Sequence, residues 1–148
     1  MQIISPDTLS HIGEKIILIG LAAKAVGAEV AGGNAVALRS ARESLAASEA
    51  DYDNAMSELA PEQRVWVESL FADALAKARA GRDGYHQAVY MAQIKWSDDQ
   101  VRELEAVTTE LKDARTEWVR DAMSYDVTAY QVAKLCGRTP STVQRWVK

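Results

Sequence analysis

Apolar residues recur at every third or fourth position along most of this chain, which is the spacing of one face of an α-helix. Ser5 and Pro6 are typical of a helix N-terminus, and the apolar face that follows them extends over residues 9–23. We expect Gly27 and the glycines of residues 32–34 to loosen or end this helix. A second series, with nearly heptad spacing, predicts a helix over residues 35–59.

The remainder of the chain before residue 126 shows the same pattern. Pro61 is placed to open a third helix with an apolar face as far as Ala78, residues 81–84 are a turn signal, and residues 85–96 are predicted to be helical. Residues 97–100 form a capping-box sequence, which predicts the start of a separate long helix there. The apolar seam of that helix is Val101, Leu104, Thr108, Leu111, Ala114, Trp118, Ala122 and Tyr125. The pattern predicts an all-α fold with an N-terminal helical bundle or coiled-coil-like body.

Composition excludes several classes of protein. The chain has 148 residues, of which 48% are hydrophobic, and a single cysteine, so it is neither a disulfide scaffold nor generally disordered. His11 and His86 are far apart and have no thiol near them in sequence, and no glycine-rich phosphate loop or nucleophile–base pattern is present. We therefore expect no catalytic residues, no metal site and no cofactor, and a protein that is not an enzyme.

The N-terminus lacks the features of a secretory signal. No lysine or arginine precedes Lys15, and the most apolar stretch, residues 16–23, is too short to span a bilayer. These features predict a cytoplasmic protein without a membrane partner.

Residues 128–148 carry the most specific local pattern. Thr128 and Gln131 form a capping box, Gly137 stands where a helix would end in a left-handed conformation, and Thr139 can cap a helix whose first residue is Pro140. The pattern predicts two helices of seven to nine residues joined by a turn of about three residues.

The apolar positions of this segment suit two packed helices. We expect Ala133 at their crossing point, where a small side chain allows close approach. The expected inner faces are Val132, Leu135 and Cys136 on the first helix, and Val143, Trp146 and Val147 on the second.

Charge divides the chain in the same place. Residues 128–148 contain four basic and no acidic side chains, whereas residues 1–127 contain 13 basic and 21 acidic ones, a formal charge of −8. This asymmetry predicts two parts with different partners: an acidic helical region for oligomerisation or partner binding (residues 1–125) and a C-terminal module (residues 126–148).

The C-terminal module resembles the helix-turn-helix of repressors, resolvases and the promoter-reading domains of sigma factors. The resemblance rests on Ala133, Gly137, Val143 and the polar cluster of residues 141–146, and it covers 21 of the 148 residues. It implies that the second helix enters the DNA major groove, with a supporting third helix from residues 98–125. The base-reading residues would be Thr139, Ser141, Thr142, Gln144 and Arg145. The phosphate-contacting residues would be Gln131, Lys134, Arg138 and Lys148.

The function expected from this resemblance is double-stranded DNA binding by a bacterial or phage-type transcriptional regulator. A single small module binds weakly, so we expect a homodimer or a higher homo-oligomer. Two alternatives remain open. The first is a phage packaging or DNA-organising protein similar to a small terminase subunit. The second is a helical adaptor whose C-terminal hairpin docks on a protein partner.

Overall fold

A computed structural model describes residues 4–148, which form seven α-helices and no strand. The helices are α1 (Pro6–Gly32), α2 (Ala35–Ser57), α3 (Pro61–Leu70), α4 (Ala72–Arg79), α5 (Tyr85–Ser124), α6 (Ala129–Cys136) and α7 (Pro140–Trp146). The predicted all-α class is confirmed. In this part of the chain, no helix combines the length and the apolar character needed to cross a membrane.

Local capping sets the first helix boundaries. The Ser5 side chain accepts a hydrogen bond of 3.1 Å from the Thr8 amide, as expected for an N-cap followed by Pro6. At the other end, Gly33 adopts a left-handed conformation with φ +70° and ends α1. Of the glycines expected to loosen or end the helix, Gly33 ends it, whereas Gly27 lies within α1 and does not. A single glycine lowers helix stability by about 1 kcal/mol, which the packing of a long helix can absorb.

The helix predicted to begin at Ser97 does not begin there. Residues 85–124 form one helix, α5, and the Ser97 hydroxyl donates a hydrogen bond of 2.8 Å to the Ile94 carbonyl instead of capping a new N-terminus. The segment contains neither glycine nor proline, so nothing forces the backbone out of the helical conformation. Conversely, the single helix expected after Pro61 is divided at Phe71 into α3 and α4.

The chain forms two compact units, the first extending to Asp98 and the second beginning at Asp99. In the first unit α1 packs against α2, α4 and the beginning of α5. Its largest fully buried side chains are Leu9, Ile12, Ile16, Ile19, Val67, Phe71 and Val89. The apolar faces predicted for α1 and for residues 61–78 therefore meet in one core.

Ion pairs connect elements of the first unit. Lys24 of α1 pairs with Asp83 in the turn before α5, and this hydrogen bond lowers the pKa of the Asp83 carboxyl below its ordinary value. Arg79 of α4 forms two hydrogen bonds, of 3.0 and 3.1 Å, with the Glu49 carboxylate of α2. Asp83 is almost fully exposed and the other three groups are partly exposed, so the apolar core contributes most of the stability and these pairs contribute little.

Close approach of α1 and α5 depends on two glycines of α1. A Cβ atom at Gly20 would lie 2.4 Å from the Tyr85 ring, and one at Gly13 would lie 2.9 Å from the Val89 side chain. Tyr85 and Val89 are themselves buried, so neither can move aside freely.

We predict that Gly20→Ala destabilises the protein by about 1–3 kcal/mol, because the new methyl group overlaps the Tyr85 ring. Gly27→Ala is the matched control: it lies in the same helix, its Cβ would meet no described atom within 4 Å, and it should stabilise by about 0.5–1 kcal/mol. Urea unfolding monitored by circular dichroism measures both changes. Stabilisation by both substitutions would contradict the close packing at Gly20.

Candidate functional site

The second unit consists of the end of α5 and a hairpin formed by α6 and α7. Val119 of α5, Ala133 of α6 and Val143 of α7 are buried together. The half-buried side chains around them are Met123, Ala129, Val132, Trp146 and Val147. The expectation that residues 98–125 supply the third, supporting helix is confirmed, because Val119 and Met123 both belong to α5.

Side-chain caps and a left-handed glycine define the hairpin. The Thr128 hydroxyl accepts a hydrogen bond from the Gln131 amide (3.2 Å), while the Gln131 side chain accepts one from the Thr128 amide (2.8 Å). Gly137 ends α6 with φ +61°, and Thr139 caps α7 by accepting from the Thr142 amide at 3.3 Å. The predicted capping box, turn and second N-cap are all confirmed.

The predicted inner face of α6 is only partly right. Ala133 is buried and Val132 is half-buried, as expected, but Leu135 is 86% exposed and Cys136 is exposed too. Leu135 follows Ala133 by two residues, which turns its side chain about 200° around the helix and away from the core. Cys136 is the last residue of α6, where the chain departs at Gly137. On α7 the expected inner face of Val143, Trp146 and Val147 is confirmed.

Three α5 side chains hold the end of α7 in place. The Thr116 hydroxyl donates a 3.0 Å hydrogen bond to the Trp146 carbonyl, and Arg120 donates one of 3.4 Å to the Val147 carbonyl. The Arg115 guanidinium lies 3.8 Å from the centroid of the Trp146 ring, within range of a cation–π interaction. These positioning residues were missed in the sequence analysis, because bonds to backbone groups 27 and 30 residues away leave no local pattern.

The five predicted base-reading residues lie at the start and along the outer side of α7. Ser141, Gln144 and Arg145 are exposed, and the Ser141 hydroxyl lies 3.1 Å from the Thr139 hydroxyl. Thr139 is also exposed, but its hydroxyl is the N-cap of α7. Thr142 is half-buried, and its hydroxyl accepts a hydrogen bond of 3.1 Å from Arg145. The structure thus brings all five residues together on one short helix.

The four predicted phosphate-contacting residues are all exposed. Gln131 and Lys134 belong to α6, Arg138 lies in the turn, and Lys148 follows α7. The side-chain oxygen of Gln131 is already used in the capping box, which leaves its amide nitrogen to donate. Because residues 128–148 contain no acidic side chain, the positive charge of this hairpin is not neutralised by carboxylates of its own.

The other candidate chemistry of the sequence does not assemble into a site. His11 and His86 are exposed, and the His86 ring stacks between Tyr85 and Tyr90 at centroid distances of 6.1 and 5.3 Å. Within residues 4–148, no group of three or more His, Cys, Asp or Glu side chains is arranged to hold a metal ion.

Comparison of the chain with protein-family models, with curated proteins and with solved structures found no match. Function is therefore inferred from the geometry and charge of the hairpin.

We predict that Ala133→Leu destabilises the hairpin by about 1–3 kcal/mol, because the buried crossing point has no room for three more carbon atoms. Leu135→Ala, two residues away on the exposed side of α6, should change stability by less than about 0.5 kcal/mol. Amide hydrogen exchange of residues 129–146 measures the effect in the second unit alone. Equal protection in both variants would contradict the packing described for Ala133.

Proposed function

We propose that the chain binds double-stranded DNA through a C-terminal helix-turn-helix in which α7 is the recognition helix. The observation that carries the proposal is an acid-free polar surface on a hairpin that is capped at its helix ends and packed on α5. Caps and a left-handed glycine define α6 and α7, three contacts from α5 hold the end of α7, and Ser141, Gln144 and Arg145 are exposed. Placement on a supported helix is what base recognition requires, because hydrogen bonds to base edges tolerate little displacement.

The residue types suit this role. Arg145 can donate two hydrogen bonds to a guanine edge, and Gln144 can pair with an adenine edge. Lys134, Arg138 and Lys148 surround them with positive charge and would contact phosphates, which orients the module without reading sequence. A bacterial or phage-type transcriptional regulator, acting as a non-catalytic cytoplasmic protein, is the most specific function that agrees with these features.

One observation favours a second candidate function, docking on a protein partner. Leu135 is 86% exposed on α6, and the hairpin also exposes Tyr130. An apolar side chain in this position is of no use for phosphate contact but is common in protein interfaces. In this alternative Leu135 would be an anchor residue, and the cations of the hairpin would be of secondary importance.

The experiment that separates these functions is a binding selection on random double-stranded DNA, followed by a salt titration of the selected duplex. Enrichment of a defined site supports a sequence-reading regulator. Salt-sensitive binding without enrichment supports a DNA-organising or packaging protein, and absence of binding at low salt supports the docking function.

We predict that Arg145→Ala weakens binding to the selected duplex by about 1–3 kcal/mol and relaxes preference at one base position. Lys134→Ala should weaken binding to all duplexes alike and reduce the salt slope by about one unit, because one phosphate contact is lost. Fluorescence anisotropy at several salt concentrations, with selected and scrambled duplexes, measures both effects.

Arg82→Ala is the control, because this arginine is exposed but belongs to the first unit. It removes the same charge and should leave affinity nearly unchanged. If all three variants lose affinity equally, binding depends on net charge and not on the hairpin. If Leu135→Ala impairs binding to a protein partner and the charge-removing variants do not, docking on that partner replaces DNA binding as the function.

A further inference from the structure

One surface of the second unit is apolar and uncovered by the described chain. Val101, Leu104, Leu111 and Trp118 of α5 are exposed, Leu111 by 62% and Trp118 by 68%. They share one face of the helix, spaced by three, seven and seven residues, and we call this set the α5 stripe. It extends over about 26 Å at 1.5 Å per residue. The hairpin packs around Val119 and leaves these four side chains exposed, although its Trp146 ring lies against Arg115 of α5.

The stripe has the heptad spacing of a two-stranded coiled coil with apolar residues at every d position, while two of its three a positions are polar. With Val101 at position a, the a positions are Val101, Thr108 and Arg115, and the d positions are Leu104, Leu111 and Trp118. The adjacent g positions, Gln100, Val107 and Ala114, carry no charge. Apart from Arg115 at an a position, the charged residues between 100 and 118 lie at two kinds of position. Glu105 and Lys112 occupy e positions, and the rest occupy the outer b, c and f positions.

The two e-position charges indicate what covers the stripe. Glu105 and Lys112 are seven residues apart, about 10 Å along the helix, which is too far for them to pair within one copy. In an antiparallel pair of identical helices, e positions face e positions of the other copy. Glu105 then meets Lys112 of the second copy, and the pair occurs twice by symmetry.

The same antiparallel alignment also gives each of the remaining core and flanking positions a partner in the second copy. Val101 faces Trp118, and Thr108 faces Leu111. Leu104 faces the methylenes of Arg115, whose guanidinium is directed to the Trp146 ring. On the uncharged flank Val107 faces Ala114. A parallel alignment would instead bring the two Arg115 side chains together and leave Glu105 opposite Gln100, so charge favours the antiparallel one.

We propose that the α5 stripe binds a second copy of this chain as an antiparallel two-helix coiled coil centred between Thr109 and Glu110. The pairing does not depend on DNA binding. The pairing also fixes the distance between the two hairpins, and the meaning of that distance for DNA binding rests on the proposed function. The hairpin docking sites, near residue 121 of each α5, are then separated by about 35 Å along the helix axis. Half-sites one turn of DNA apart require about 34–36 Å.

Charge exchange at the e positions tests the proposal on the full-length chain. Sedimentation equilibrium of the wild type should show a monomer–dimer equilibrium. Glu105→Lys places a lysine opposite Lys112 twice and should raise the dimer dissociation constant about tenfold. Lys112→Glu should do the same, and the double variant Glu105→Lys with Lys112→Glu should restore wild-type dimerisation.

Glu103→Lys is the matched control, because it makes the same change of charge at an outer c position and should leave the dissociation constant within about twofold of the wild type. Leu111→Glu, at an exposed position that should not affect folding, is expected to give a monomer with an unchanged circular dichroism spectrum. A monomeric wild type, a dimer that survives Leu111→Glu, or equal effects of Glu105→Lys and Glu103→Lys would each overturn the proposal. None of these outcomes depends on whether the hairpin binds DNA.

Discussion

Docking on α5 is the interaction on which the C-terminal hairpin depends. α6 and α7 have eight and seven residues, and helices of this length do not persist alone in water. Their caps lower the cost of forming each helix, and burial of Ala133 and Val143 against Val119 forms the centre of the packing that holds the two together. Every polar group proposed to contact DNA is therefore positioned by a small apolar cluster that does not touch DNA.

The small size of that cluster explains why the supporting contacts matter. Three side chains form its buried centre, so the polar contacts at the end of α7 contribute a larger share than they would in a large core. Thr116 and Arg120 satisfy carbonyls of the last helical turn, where an α-helix has no internal donors to offer. Arg115 covers the Trp146 ring on one side. The end of α5 thus serves both as packing surface and as C-terminal cap for α7.

Features governed by local interactions could be predicted from the sequence. The N-caps at Ser5 and Thr139, the capping box at Thr128 and the left-handed Gly137 each depend on residues within one turn, and each was found where expected. Features that depend on competition between local and distant interactions could not. Ser97 has the pattern of an N-cap, but nothing in its surroundings ends the preceding helix, so its hydroxyl bonds to the helix backbone instead.

The candidate site shows the same division. Exposure of the polar residues on α7 follows from the apolar period, whereas the exposure of Leu135 depends on Ala133, and not Leu135, being the residue of α6 that packs into the cluster. The contribution of Thr116 and Arg120 could not be predicted, because threonine and arginine on an outer helix face bond to solvent as readily as to a distant carbonyl.

The shared core of α5, α6 and α7 also links folding to binding. A ligand that binds the hairpin only in its docked form shifts the docking equilibrium towards that form by mass action. It thereby stabilises the packing at the end of α5, which it does not contact. The relation is reciprocal, so a change at Val119 that lowers the docked fraction of the hairpin lowers the apparent affinity in the same proportion. The docking of the hairpin on α5 and the binding of a ligand to the outer surface of α7 are therefore coupled equilibria.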